Sequence, residues 1–470
     1  MRIVFVSGDF NILHPGHLRL LKFAKESGDY LIVGVNNDKL SNNKGMPQDI
    51  RLESIKATSY VDESFILNES AVEYIKKNKP DVVVKGKEHE DEENIELATI
   101  NKYGGKLLFS SGEIGFSSLD LLKEDSSSGL NLKHSIKYQN RHKFELNRLK
   151  SIIEDFSKLK VLVIGDTIVD EYITCEPLGM SQEDPTIVVS PLFNDRFIGG
   201  AAIVASHAKT LGATVEFISV CGDDESCQYV KNGLKKLKIK TSIFTDSSRP
   251  TTLKQRFRAN DKTMLRVNHL KQHAISKTIQ NQILKKIEKR IGNLDLIIFS
   301  DFSYGLLTNH VIKEVSKLAS KNNIIMSADS QSSSQVGDIS KFKDMTLVTP
   351  TEREIRLALS NFESGLVVLS QKLNESSNAK YIFTTLGAEG IMIYNSNKNE
   401  LLTDNINALA NIVKDVSGAG DSLLTASSMA LCVGANIWES AYIGSIASAI
   451  QVSRIGNIPI KKDEILKELN

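Results

Sequence analysis

The stretch Asp415-Val416-Ser417-Gly418-Ala419-Gly420-Asp421 constrains this chain more than any other. Two glycines flanking an alanine let successive backbone amides face one point, and the apolar run from Leu423 to Leu431 predicts a helix starting just behind them. Unpaired N–H groups at the positive end of a helix dipole make an anion site. An Asp in the first turn of such a helix can accept a proton from a hydroxyl while the amides hold phosphoryl oxygens. In outline this is the centre of a phosphoryl-transfer site.

A length of 470 residues exceeds what one core supports, so two or three domains are expected. The 58 basic and 57 acidic residues leave a net charge of +1, and no global field recommends nucleic acid or a membrane surface as a partner. Cys175, Cys221, Cys227 and Cys432 are scattered, with no CxxC pair and no histidine cluster, and read as reduced thiols of a cytoplasmic protein. The opening MRIVFVSGDF enters a strand directly, so no leader is expected, and no apolar run is long enough to span a bilayer.

The first segment begins with the apolar run Ile3-Val4-Phe5-Val6, a loop reaching His17, and a helical pattern from Leu18 to Ala24. Strand, loop and helix in this order form the phosphate-binding unit of an open parallel sheet. Further strands, Tyr30 to Val35 and Asp81 to Val84, lead into polar clusters of the kind that collect at the ligand-binding edge of such sheets. His14 and His17, separated by a glycine at the mouth of a helix, suit hydrogen bonds to a phosphate whose charge grows in a transition state.

The H-x-G-H segment resembles that of the cytidylyltransferase-like nucleotidyltransferases, over most of residues 1 to 122. The resemblance implies that His14 and His17 stabilise the attacked α-phosphate and that Lys44 is the mobile lysine that neutralises triphosphate charge. It also assigns Gly8, Asp9, Phe10, Arg51 and the pair Ser117 and Ser118 to the nucleotide. Asn11 departs from the family pattern, which has Asp there; shape and hydrogen bonding are kept and the charge is lost.

A serine and glycine cluster, Ser126-Ser127-Ser128-Gly129, breaks the chain, and Leu146, Leu149, Ile152, Ile153 and Phe156 then recur at helical spacing. The expected division is a domain over residues 1–125, a linker with an entry helix over 126–150, and a second domain over 151–470.

In that second domain the buried-strand run Val161 to Ile164 ends at Gly165-Asp166, with Asp170 following. Two carboxylates beyond a strand can accept several hydrogen bonds from sugar hydroxyls. Gly199-Gly200-Ala201-Ala202 precedes a helical stretch. Between Pro250 and Asn268, Lys254, Arg256, Arg258 and Arg266 alternate with apolar residues, which suggests strands carrying one basic face. Such a face suits a phosphate already present on the acceptor.

This half resembles the ribokinase-like, or PfkB, carbohydrate kinases over nearly all of residues 160 to 465, through D-x-x-G-A-G-D, the G-G-A-A segment and the G-D-x-x-x-D opening. The resemblance implies that Asp421 is the catalytic base and that Gly418, Ala419 and Gly420 form the anion hole. It places Asp166, Asp170, Gly199, Gly200 and Asp301 at the sugar, and Thr385, Gly387 and Gly390 at the nucleotide. Glu354 keeps the acidic position associated with magnesium and phosphate. Lys254, Arg256 and Arg266 match the basic stretch of bifunctional heptose kinases. Ile203 and Thr351 replace asparagines of the family pattern.

Taken together, the halves resemble the bifunctional heptose-7-phosphate kinase and heptose-1-phosphate nucleotidyltransferase family, with the domain order reversed. The implied fold is α/β in two parallel-sheet, three-layer sandwiches: a Rossmann-like nucleotidyltransferase and a ribokinase-like kinase with a small β lid. Implied cofactors are Mg2+ and ATP, with ATP or CTP as nucleotidyl donor. Sugar phosphates and nucleotides are the expected partners and a homodimer the expected assembly. Two alternatives stay open: another sugar or polyol phosphate with CTP, or one half serving as a degenerate regulatory module that binds a nucleotide sugar.

Overall fold

A computed structural model of the chain describes residues 2–11, 13, 15–40, 46–86, 94–109, 135–259, 262–332, 337–397 and 403–469. His14, Lys44, Ser117 and Ser118 lie outside the described residues. The chain divides into two compact units, one formed by residues 1–127 with 359–372, the other by 128–358 with 373–470.

The first unit is built on five parallel strands: β1 (Ile3–Gly8), β2 (Tyr30–Asn36), β3 (Glu63–Leu67), β4 (Val82–Lys85) and β5 (Lys106–Phe109), in the order β3-β2-β1-β4-β5. Alternate side chains of β1 leave the sheet on opposite faces, and both faces are covered. Val4 and Val6 pack with Leu21 and Ala24 of the helix Pro15–Glu26, while Phe5 packs with Ile75, Val83 and Ile100. Continuous apolar runs are what a parallel sheet buried on both sides requires. The helix Ala71–Asn78 starts in a capping box in which Ser70 accepts from the Glu73 amide and Glu73 accepts from the Ser70 amide.

The second unit holds a nine-stranded sheet and a four-stranded one. The larger comprises β6 (Lys160–Gly165), β9 (Thr214–Cys221), β10 (Lys240–Thr245), β13 (Leu296–Asp301), β14 (Ile325–Ser330), β15 (Leu347–Val348), β16 (Tyr381–Thr385), β17 (Ile391–Asn395) and β18 (Thr403–Ile406). Its order is β10-β9-β6-β13-β14-β15-β16-β17-β18, parallel as far as β16 and antiparallel beyond. The smaller sheet, a lid, comprises β7 (Thr167–Met180), β8 (Ile187–Gly200), β11 (Thr252–Ala259) and β12 (Lys262–His269), in the order β12-β11-β7-β8.

The core of this unit is organised around two helices, Ala419–Cys432 and Ile437–Val452, that are buried on almost every side. Residues 135–155 belong to the same core: Tyr138, Phe144, Leu149, Ile152 and Ile153 pack into it, and the Tyr138 hydroxyl donates to the Trp438 carbonyl oxygen. Asp404 ties the helix Ser135–His142 down by accepting from Arg141 and bonding the His142 ring, which stacks on Trp438.

Candidate functional site

At the ends of β6, β13 and β14 the second unit gathers most of the residues singled out above. Gly418 is the N-cap of the helix Ala419–Cys432, with φ 77°, and no side chain caps that terminus. A Cβ at Gly418 would stand 2.5 Å from the Asn457 Oδ1, so the turn that opens this helix, in which the Ala419 amide donates to the Val416 carbonyl at 3.4 Å, requires glycine. Asp421 sits in the first helical turn, 5% exposed, and its Oδ1 has no partner among the described residues. Burial first, then the Asp170 carboxylate, push its pKa up to about 7, with Lys254 pulling the other way.

Asp170 and Asp166 flank the start of the lid. Asp170 accepts from Asn457 Nδ2 at 2.9 Å and lies 3.6 Å from the Arg256 guanidinium. Its carboxyl is raised by burial and lowered by Arg256 and Lys254, with a net upward shift. Asp166 Oδ2 accepts from the amides of Phe302 and Tyr304; burial and Asp301 nevertheless raise its pKa to about 6. A Cβ at Gly199 would collide with Asp170, and one at Gly200, where φ is 61°, with the Asp166 carbonyl. The glycine pair therefore lets β8 close over both carboxylates.

From the lid, β11 directs Lys254 and Arg256 toward the same place. The Lys254 ammonium lies 5.2 Å from the Phe302 ring centre and 5.6 Å from that of Tyr304. Arg256 Nη1 donates to Ser417 Oγ at 2.6 Å and to the Tyr172 hydroxyl. Tyr172 in turn bonds Asp415 Oδ2 at 2.6 Å, and Asp415 accepts from the amides of Ser417 and Gly456. Burial opposes ionisation of Asp415, but these bonds hold it below the usual carboxylate range. A guanidinium on the lid is thus hydrogen-bonded to the residue preceding the anion-hole turn. Arg266 pairs with Arg256 across the β11–β12 ladder and is exposed. Asp301 is buried and bonded to Ser330 Oγ at 2.8 Å and to Lys341 Nζ at 2.6 Å.

Glu354 lies further along the sheet edge. Its carboxylate accepts from the amides of Ser332 and Thr351, both at 2.7 Å. Asp329 is raised well above the ordinary range by burial, then by Glu354 and Asp421. Among the described residues no group of three or more His, Cys, Asp or Glu has the geometry to hold a metal ion. Several facing carboxylates without a protein cage fit a magnesium ion that arrives with nucleotide phosphates and takes one or two protein ligands. Thr351 bridges Thr385 at the end of β16, and the turn that follows has Gly387 and Gly390 at φ 62° and 93°. The nucleotide-side residues of the sequence reading therefore adjoin Glu354.

In the first unit, Gly8, Asp9 and Phe10 follow β1. Phe10 is buried with φ 47°, and its ring meets the edge of His17 at 5.2 Å. Asp9 Oδ1 accepts from Asn36 at 2.7 Å. The Arg51 side chain is wholly buried. Its guanidinium donates to the Met46 and Asp9 carbonyls and to Asp38 Oδ1, at 2.9, 2.6 and 2.7 Å. These bonds brace the loops after β1 and β2 and use three of the five guanidinium N–H groups.

Tyr172, Asp329, Lys341 and Asn457 were missed as site residues by sequence reasoning. Two of them carried a signal: Tyr172 by its place two residues after Asp170 on one strand, and Asp329 by standing where the ribokinase-like pattern has Asp-Pro.

Residues 158–463 match the model of the pfkB family carbohydrate kinases, and residues 5–102 that of the cytidylyltransferase-like proteins. The bifunctional protein HldE of Campylobacter jejuni (serotype O:6) is 32% identical over 315 residues, 66% of this chain and 64% of that protein. HldE of Aliarcobacter butzleri is 31% identical over 312 residues, with the same coverage. The chain thus spans about 64% of the length of these relatives. Ribokinase of Arabidopsis thaliana, complexed with ribose and ATP, superposes with a TM-score of 0.53 at 16% identity, covering 66% of this chain and 99% of its own. Phosphofructokinase-2 of Escherichia coli gives 0.55 at 15%, covering 66% and 98%. At such identity these likenesses show the fold, which is ribokinase-like. With a family match that covers well over half its length, the chain belongs to the pfkB family of carbohydrate kinases.

Proposed function

We propose that the chain is a bifunctional enzyme that makes a nucleotide-activated sugar. Its second unit transfers the γ-phosphoryl group of ATP to C1 of a sugar phosphate, D-glycero-D-manno-heptose 7-phosphate, and its first unit joins a sugar 1-phosphate to a nucleotide with release of pyrophosphate. The observation that carries the kinase reading is the buried Asp421 carboxyl, held near neutrality at a helix N-terminus and faced by Lys254 and Asp170. A base poised near pH 7 can take the proton of the acceptor hydroxyl as its oxygen attacks phosphorus and ADP departs. The amides of Gly418, Ala419 and Gly420 hold the transferred oxygens. Asp166 and Asp170 accept from sugar hydroxyls, and Lys254, Arg256 and Arg266 neutralise the phosphate that the acceptor already carries. Magnesium bound with ATP, with Glu354 and Asp329 nearby, supplies charge neutralisation at the phosphates.

In the first unit, His14 and His17 donate to the α-phosphate and Lys44 to the rest of the triphosphate, while Ser117 and Ser118 hold nucleotide phosphates. Gly8, Asp9 and Phe10 shape the nucleotide pocket. ATP is the nucleotidyl donor in this reading. Asn11, where the nucleotidyltransferase pattern has Asp, keeps CTP as a second one. Ile203, wholly buried where the kinase pattern has asparagine, favours a second acceptor, another sugar or polyol phosphate. The exposed apolar side chains Leu178, Met180, Ile187, Leu192, Phe193 and Leu265 on the lid support a homodimer. Four unpaired cysteines support work in the cytoplasm, and among the described residues no helix is long and apolar enough to cross a membrane.

The test is incubation with magnesium, ATP and mannoheptose 7-phosphate, followed by mass spectrometry for a sugar bisphosphate. A bisphosphate supports the reading. Its absence, with ATP still bound, moves the acceptor to another sugar phosphate.

A further inference from the structure

Among the described residues the nine-stranded sheet ends at β10, which pairs with β9 on one side only. A groove of about 1060 Å³ follows the other side. Residues 238–244 line it consecutively, so the groove opens on the strand's edge and not on one of its faces. Its walls come from the helices Glu225–Lys236 and Lys277–Glu288 and the residues after them, and carry Lys231, Lys235, Lys238, Lys285, Lys286 and Lys289.

An unpaired edge is a template for another strand, and proteins ordinarily blunt it with charge, proline or a bulge. Here the strand itself is unblunted. Thr241-Ser242-Ile243-Phe244-Thr245 has no proline and no charge, and Lys240 is paired with Glu216 at 3.0 Å. The charge stands on the walls. Among the described residues Lys235, Lys238, Lys285, Lys286 and Lys289 form no ion pair. In a chain whose net charge is only +1, this is a strongly one-signed patch.

We propose that this groove binds an acidic peptide segment of a partner protein in extended conformation, which adds to the sheet as a strand beside β10. Main-chain hydrogen bonds to the open edge would supply affinity, and carboxylates facing the lysine walls would supply selectivity. A second copy of this chain is disfavoured as the occupant, because β10 meeting β10 would bring two sets of lysines together. The half-buried Ile243 and Phe244 on the groove floor offer apolar contact that a phosphate backbone does not need.

The full chain is titrated with a short fluorescein-labelled peptide of alternating glutamate and valine, with a lysine–valine peptide and a single-stranded RNA oligonucleotide as comparators. Anisotropy should rise with the acidic peptide alone and fall back at high salt. The double variant K285E/K289E should bind about tenfold or more weakly while phosphorylating its substrate at the wild-type rate. Amide exchange of residues 241–245 should slow in the complex. No binding of the acidic peptide overturns the proposal, as does binding that leaves β10 exchange unchanged. RNA binding at equal strength, without slower exchange, makes the groove a general polyanion surface and overturns it too.

Discussion

If Asp421 is the kinase base, phosphorylation depends steeply on pH in a range where an ordinary aspartate does not titrate. Burial and the Asp170 carboxylate raise its pKa from 3.8 to about 7. A carboxyl titrating at about 7 is about 1% ionised at pH 5, where an unperturbed aspartate is about 90% ionised. The rate should therefore lie about a hundredfold below its plateau at pH 5 and climb about tenfold per unit to near pH 7. Bisphosphate formation, quantified by mass spectrometry across pH 5 to about 8.5, gives the profile. Asp170→Asn removes the second cause of the shift, so the midpoint should move to lower pH. KM for the sugar should rise independently, since Asp170 lies against Arg256 and Asn457. Stability carries the opposite sign. A carboxyl whose folded pKa exceeds its unfolded value favours folding below about pH 4 and loses that contribution as pH rises through about 7. Asp421→Asn should thus melt higher than wild type at pH 8, by up to about 4 kcal/mol from a shift of about three units. A flat rate profile between pH 5 and 7, or a midpoint that Asp170→Asn leaves in place, would refute the assignment.

Asp421→Asn should abolish phosphorylation alone and His17→Ala nucleotidyl transfer alone; one substitution that silences both reactions would contradict independent sites. Gly418→Ala forces a Cβ to 2.5 Å from Asn457 at φ 77°, and should cost about 1–3 kcal/mol and at least tenfold in phosphorylation. Gly434→Ala, at φ 88° with open space around it, should cost stability and leave the rate untouched. Arg51→Met should destabilise the first unit by about 3 kcal/mol, seen by hydrogen exchange, because it removes three bonds from a wholly buried site. A rise in nucleotide KM without any loss of stability would instead make Arg51 a ligand. Tyr172→Phe, which deletes the hydroxyl between Arg256 and Asp415, should lower kcat more than it raises KM for either substrate, measured in steady state.

What was legible in the sequence is what lies close along it. The anion-hole turn needs two glycines and an apolar helix within a few residues, and β11 shows its basic face by simple alternation. Asp166, just before β7, and Asp170, within it, lie four residues apart and could be read as a pair. The rest depends on residues brought together from far apart. Asn457 meets Asp170 across 287 positions and Tyr172 meets Asp415 across 243. No local pattern marks either contact. The bracing contacts of Arg51 were hidden for the same reason: they form only when the loops at Asp9 and Asp38 fold around it. The helix Ser135–His142 was hidden within a polar stretch, because Tyr138 and His142 dock on aromatic partners some 300 residues away.

One hairpin of the lid, β7 with β8, joins its platform without a loop at either end. Asp166 alone separates β6 from β7, and β8 runs through Gly200 straight into the helix that begins at Ala201. This hairpin has no slack segment at its base. Displacing the strand tips would reach Asp166 and Asp170 through continuous backbone, so in the proposed kinase the position of the hairpin and the aim of these two carboxylates would change together. At Gly165 and Gly200, where the hairpin leaves and rejoins the platform, a side chain would meet the Ser300 and Asp166 carbonyls, so both anchor points are closed to any larger residue.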